Sequence, residues 1–149
     1  MARAPADRYA VSRYGREGAG RSPHVGTLSS ESWVEDLKAL REQQQVARAR
    51  FVGHSLGTLI LQHFAVRHPS RVNKLVFIGV NRAPPEARRV AVRERVAKVR
   101  AEGIDGSADA LVKGGLSPNT FANKPEIVAF VREVRLRQPV EGYGRGCET

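Results

Sequence analysis

Cysteine is nearly absent: Cys147, close to the C-terminus, is the only one in 149 residues. No disulfide can form within the chain, and a reducing compartment, the cytoplasm, is the expected setting. Long apolar runs are missing too. Nothing approaches the roughly 20 consecutive apolar residues of a membrane span, and the first twenty positions hold no apolar stretch of signal-peptide length, so neither export nor a membrane partner is expected. Aromatic residues make up only 6% of the chain, with no RNA-binding aromatic signature and no finger-type metal-ligand spacing. Acidic residues are in deficit, 15 against 25 Lys and Arg, which leaves a formal charge of +10. Such an excess raises nucleic acid as a partner. The basic residues are, however, scattered and interleaved with Glu35, Asp36, Glu42, Glu86, Glu94, Glu102, Glu126 and Glu133. That is the pattern of solvated helix faces, and no nucleic-acid site is expected.

What is present is enough apolar material, 41% of residues, for a real core. Tyr9, Val11 and Tyr14 alternate weakly, which predicts a short strand over 8–14, and the glycine-rich stretch from Gly15 to Pro23 must be a loop. Ser29, Ser30 and Ser32 can each cap a helix, Ser32 and Glu35 match a capping box, and Trp33, Leu37 and Leu40 recur at helical spacing. That helix is expected to end near Gln45. A strand over 49–53 runs directly into Ser55, a helix with Leu59, Ile60, Phe64 and Ala65 on one face follows, and His68-Pro69 ends it. The run Lys74 to Val80 reads as a parallel strand buried on both faces. Strands alternating with helices predict an α/β chain with a parallel sheet and crossover helices.

Beyond Asn81 the pattern is helical only. Pro84-Pro85 opens a helix with Val92, Val96 and Val99 on one face and Gly103 at its end; a short helix is expected over 107–113 and another from Pro125 to before Pro139. The expected organisation is therefore 1–81 as a partial α/β core and 82–149 as a helical segment whose amphipathic helices need another surface to cover them.

Gly53-His54-Ser55-Leu56-Gly57 carries the chemistry. A Gly-x-Ser-x-Gly pattern between a strand and a helix is the signature of a nucleophile elbow, a tight turn that projects the serine hydroxyl from the end of the sheet. Gly53 and Gly57 are read as glycine because a side chain at either place would strike the neighbouring element. The turn puts Ser55 at a helix N-terminus, where the N–H of Leu56 can donate to an oxyanion. His54 should point away from the reacting side and be packed or half-buried, His63 and His68 lie along or past the following helix, and His24 follows the glycine-rich loop. Asp36, Asp105 and Asp109 read as helix-surface or cap residues. None of these is an evident general base or acid.

Phe51 to Thr58, followed by His68-Pro69-Ser70-Arg71-Val72-Asn73-Lys74-Leu75-Val76, resembles the central stretch of the α/β-hydrolase fold-1 family, closest to its 3-oxoadipate enol-lactonase-like members. The segment 18–23 before Ser32 to Leu37 is similar to the loop and helix that precede the family's elbow, and 82–149 resembles its helical lid. The resemblance implies a partial α/β-hydrolase fold and a serine hydrolase acting on a small-molecule carboxylic ester or enol-lactone. It implies Ser55 as nucleophile and Leu56 as an oxyanion donor, with no cofactor and no metal. Two departures stand out. Where the family has Asp-x-Arg-Gly this chain has Gly15-Arg16-Glu17-Gly18, and the family's first three strands and its acid- and histidine-bearing strands have no counterpart. The strand that lies in the family between those at 8–14 and 49–53 is among the missing ones, so either these two pair directly or a gap remains. Two alternatives follow: a catalytically incomplete remnant or truncated gene product, and a basic interaction module.

Overall fold

The computed structural model describes residues 7–23, 26–80 and 85–148. Helix α1 (Ser30–Gln43), strand β1 (Ala49–His54), helix α2 (Leu56–Arg67), a 3-10 turn (Pro69–Arg71) and strand β2 (Val72–Ile78) form the α/β part; α3 (Glu86–Gly115), α4 (Pro118–Asn123), α5 (Pro125–Leu136) and α6 (Val140–Glu148) follow. β1 and β2 pair in parallel, with Phe51 opposite Leu75 and Gly53 opposite Phe77. The parallel sheet is as expected; its extent is not. Residues 8–14 form no strand, and Tyr9, Val11 and Tyr14 are exposed. An isolated extended segment cannot satisfy its backbone without a neighbour, and among the described residues nothing pairs with it, so the gap remains.

The helices obey local chemistry with two shifts from expectation. The cap of α1 is Ser29, in extended conformation, and its reciprocal partner is Ser32: Ser32 N–H donates to Ser29 Oγ at 3.1 Å and Ser29 N–H to Ser32 Oγ at 3.0 Å. Glu35 is left to an exposed ion pair with Lys38. α1 stops at Gln43, two residues later Gln45 takes a positive φ of 54°, and the buried Arg41 donates to the Val46 carbonyl, which ties the exit loop down.

One face of the sheet is covered. Trp33, Val34 and Leu37 of α1 and Ile60, Leu61 and Phe64 of α2 form the core with Leu28, and Phe51, Leu75 and Phe77 pack against it. The other face is bare. Val52 is 68% and Val76 51% exposed, and Ile78 joins them, so β2 is not buried on both faces; no described element packs there.

The helical segment is more continuous than its sequence suggests. α3 runs to Gly115 and is broken only at Gly103, whose φ of 77° and ψ of 175° leave the helical region, so the expected end of the valine helix is real but the chain resumes at once. The short helix expected over 107–113 is part of that continuation. α4, capped by Ser117 Oγ on the Thr120 N–H, and α6 were not anticipated. Part of the valine stripe is covered within the helical segment itself. Val99 is fully buried in a second cluster with Ile104, Leu111 and Tyr143, and Leu136, Val140 and Cys147 close it.

Candidate functional site

β1 runs into Ser55 without a loop. Ser55 has φ 52° and ψ −119°, a conformation side chains rarely adopt, and α2 begins at the next residue. Its N–H donates to the Ile78 carbonyl at 2.9 Å, extending the β1–β2 ladder by one bond, and its carbonyl accepts from Thr58 N–H at 2.9 Å and Thr58 Oγ1 at 2.7 Å. Three bonds thus hold a strained residue in place, and Thr58, which supplies two, is fully buried. The Ser55 side chain is solvent-exposed and makes no hydrogen bond to any described residue.

The two motif glycines differ in what they do. A Cβ on Gly53 would stand 2.7 Å from the Gly57 carbonyl oxygen and 2.9 Å from Leu61 Cδ1, so glycine is what lets α2 turn back against β1. At Gly57 a Cβ would meet nothing within 4 Å, which corrects the expectation that both are held by crowding. His54 is exposed rather than packed, because its strand position points to the bare face. His68 stacks obliquely on Phe64, ring centroids 5.0 Å apart, with its Nε2 buried and unbonded; neither it nor His63 bonds to Ser55, and His24 lies outside the described residues. Asp109 pairs with Arg132 at 2.8 Å. Asp36 and Glu17 share a cleft with Tyr14, Gly15, Ser22, Pro23 and Leu40. Burial, reinforced by Glu17, raises the Asp36 carboxyl, and burial followed by Asp36 pushes the Tyr14 hydroxyl up to about 12. Among the described residues no group of three or more His, Cys, Asp or Glu could hold a metal ion, and no helix is long and apolar enough to cross a membrane.

Sequence reasoning missed α6, whose Gly142 and Gly146 face the loop of Arg16 and Gly18 and, through Leu56, the start of α2. A Cβ on Gly142 would overlap the Gly18 carbonyl oxygen, and one on Gly146 would stand 2.5 Å from Arg16 Nη2 and 3.4 Å from Leu56 Cδ2. Arg16 lies 4.5 Å over the Trp33 ring and donates to the Gly142 carbonyl at 3.2 Å. The alternate glycines of Gly142-Tyr143-Gly144-Arg145-Gly146 were the available signal, set against the low helix propensity of glycine. Gly142→Ala should therefore unseat α6, costing about 1–3 kcal/mol in overpacking. Thermal unfolding and Trp33 emission should both respond; an unchanged melting temperature would contradict the close contact.

α6 also carries a titratable reporter. Burial, then the charge of Cys147, pushes the Tyr143 hydroxyl up to about 12. A phenol whose folded pKa exceeds its unfolded value near 10 stabilises the fold below pH 10 and loses that contribution as pH rises through about 12. Tyr14 acts with the same sign. The melting temperature should fall over this window, and less steeply in the Tyr14→Phe, Tyr143→Phe double variant; equal slopes would refute the assignment.

A family model described as alpha/beta hydrolase fold matches residues 1–101. The chain is 29% identical over 143 residues to the 3-oxoadipate enol-lactonase 2 of Acinetobacter baylyi, covering 95% of this chain and 53% of that enzyme. In structure it is similar to the enol-lactonase of Burkholderia xenovorans, with 28% identity, a TM-score of 0.84, and coverage of 97% of this chain and 55% of that one. A thermophilic esterase from Thermogutta terrifontis matches at 25% identity and a TM-score of 0.75, over 89% of this chain and 50% of the esterase. The chain thus spans about half the length of these relatives.

Proposed function

Since the chain belongs to the α/β-hydrolase fold family, we propose that it is the nucleophile-bearing part of a serine hydrolase acting on a small carboxylic ester or enol-lactone. The observation that carries this is Ser55 itself: a strained, exposed residue with a free hydroxyl, fixed by backbone bonds between a parallel strand and a helix N-terminus. In this reading Ser55 Oγ attacks the substrate carbonyl, a base takes its proton, and the Leu56 N–H, at the positive end of α2, holds the oxyanion. Residues 82–149 cover the pocket and select the substrate; the enol-lactonase and esterase relatives support the substrate class. No cofactor or metal enters the reading, and the cytoplasm is its proposed location.

A second reading, a catalytically incomplete polypeptide, is supported by the same hydroxyl, which no described base reaches. The test of the nucleophile is acylation. Incubation with p-nitrophenyl acetate followed by peptide mass mapping should place an acetyl group on Ser55, and Ser55→Ala should lack it. Acetylation of lysines alone would remove the assignment.

A further inference from the structure

Glu17 breaks the family pattern quoted above, because it stands where that pattern has arginine. The reversal of charge puts a second carboxyl group beside Asp36. Both line the cleft between the 15–23 loop and α1, with Tyr14, Ser22, Pro23 and Leu40 among its other walls; no described Lys, Arg or His is part of that lining. The two carboxyls are not equivalent. Glu17 Oε1 accepts the Gly26 N–H at 2.6 Å, a bond that favours the ionised form. Asp36 is half-buried, and burial, with the charge of Glu17 added, holds its carboxyl above the ordinary aspartate range. Tyr14, pushed up to about 12, stays a neutral phenol wherever a carboxyl titrates. The neighbouring charges are used elsewhere: Arg16 lies over the Trp33 ring and donates to the Gly142 carbonyl, and Lys38 pairs with Glu35 on the exposed side of α1.

The same loop is the seat of α6. Gly18 lies so close to Gly142 that a Cβ on Gly142 would overlap the Gly18 carbonyl oxygen, and the Arg16 bond to Gly142 leaves from the residue next to Glu17. Whatever moves the loop against α1 therefore moves the seat. We propose that Glu17 and Asp36 form a proton-operated latch: with Asp36 protonated the loop rests against α1 and α6 keeps its seat, and with both carboxyls ionised their repulsion loosens the loop and the seat with it. Like charges in a partly desolvated cleft oppose each other's ionisation, so Asp36 retains a proton where a lone aspartate would have lost it. An arginine at position 17 would attract the Asp36 carboxylate instead, so the latch belongs to this chain, and it does not depend on the role of Ser55. A carboxyl whose folded value lies above its unfolded one adds stability that is complete below the ordinary value and is lost as pH rises through the folded one. The latch is thus closed in acid and opens as Asp36 ionises.

The test is a pH titration of the isotope-labelled full chain by NMR, from below the ordinary aspartate value to above neutral pH. The Asp36 side-chain carboxyl carbon should titrate above its ordinary value of 3.8, and the Gly18 and Gly142 amides should shift with the same midpoint. Glu17→Gln keeps an oxygen acceptor for the Gly26 N–H but removes the charge, so the Asp36 midpoint should fall back toward its ordinary value. Asp36→Asn imitates the protonated form; it should abolish the amide transition and melt higher than the wild type at pH values above the midpoint. His24, two residues before Gly26 in sequence, is the other group that titrates in this range, and His24→Gln should leave the midpoint in place. The wild-type titration alone decides the matter if a variant fails to fold. An Asp36 midpoint at or below the ordinary value, one unmoved by Glu17→Gln, Gly18 and Gly142 amides that ignore it, or a transition lost in His24→Gln would each overturn the proposal.

Discussion

Purified alone, the 149-residue chain should hydrolyse p-nitrophenyl acetate and an enol-lactone far more slowly than a serine hydrolase whose nucleophile is bonded to a base, although it carries Ser55, the nucleophile proposed above. A serine hydroxyl attacks poorly until a base removes its proton, and general-base assistance contributes about 100- to 10,000-fold. Ser55 Oγ has no hydrogen-bond partner among the described residues, His68 is spent against Phe64, and His54 sits on the bare face of the sheet. The proposed oxyanion site has one donor, the Leu56 N–H, and losing a single donor elsewhere costs about 100- to 1000-fold. The deficits compound, so steady-state turnover should be near background and differ little in Ser55→Ala. Robust saturable turnover that vanishes in Ser55→Ala would reveal a base within the chain, with His24 and His54 the first to replace.

The largest stability effect is expected at Trp33. It is fully buried at the centre of the first core cluster, carries Arg16 on its ring at 4.5 Å, and makes no hydrogen bond through its indole nitrogen. Its contribution is therefore packing plus the cation on its face. Trp33→Ala should cost about 3–5 kcal/mol, from lost burial and the cavity left behind. A domain of this size is held by only about 5–15 kcal/mol, so the variant should unfold at markedly lower temperature or denaturant. Because Trp33 is the only tryptophan, circular dichroism must follow the transition. Arg16 would lose its platform at the same time, so α6 should loosen with the core. A change below about 1 kcal/mol would contradict the placement of Trp33 at the centre of the core.

Both predictions draw on parts of the molecule that were unequally legible beforehand. The elbow could be read because its signal is local: a short strand, a serine between two glycines, and a helix of regular apolar spacing leave little else for residues 49–67 to do. Its sheet partner was legible from the apolar run after Lys74, though not the bare face, since burial on both sides requires elements packed on each face and none of the described ones packs on the second. The strand expected over 8–14 failed for the same reason: alternation states a tendency, and pairing needs a neighbour. The capping box of α1 forms between Ser29 and Ser32 rather than Ser32 and Glu35, because three serines compete and only the backbone at Ser29 decides among them. α6 was missed because its glycines depress helix propensity, whereas the tight seat on Gly18 and Arg16 rewards their lack of side chains. The second cluster around Val99 and Tyr143 depended on finding that helix. For the candidate site, Ser55, Gly53 and Leu56 could be named from the sequence. The bonds to Ile78 and Thr58, and the neighbourhood of Arg16, are tertiary facts.

The role of Ser55 is tested most directly by an activated phosphorus electrophile, because the chain carries its own controls. A fluorophosphonate incubated with the folded chain, followed by peptide mass mapping over time, compares Ser55 with Ser29, Ser30, Ser32, Ser70, Ser107 and Ser117 in the same sample. The expected result is slow, stoichiometric modification of Ser55 alone, absent in Ser55→Ala and lost on unfolding in denaturant, as a hydroxyl at a helix N-terminus should show. Modification spread over several serines, or confined to one other than Ser55, would contradict it.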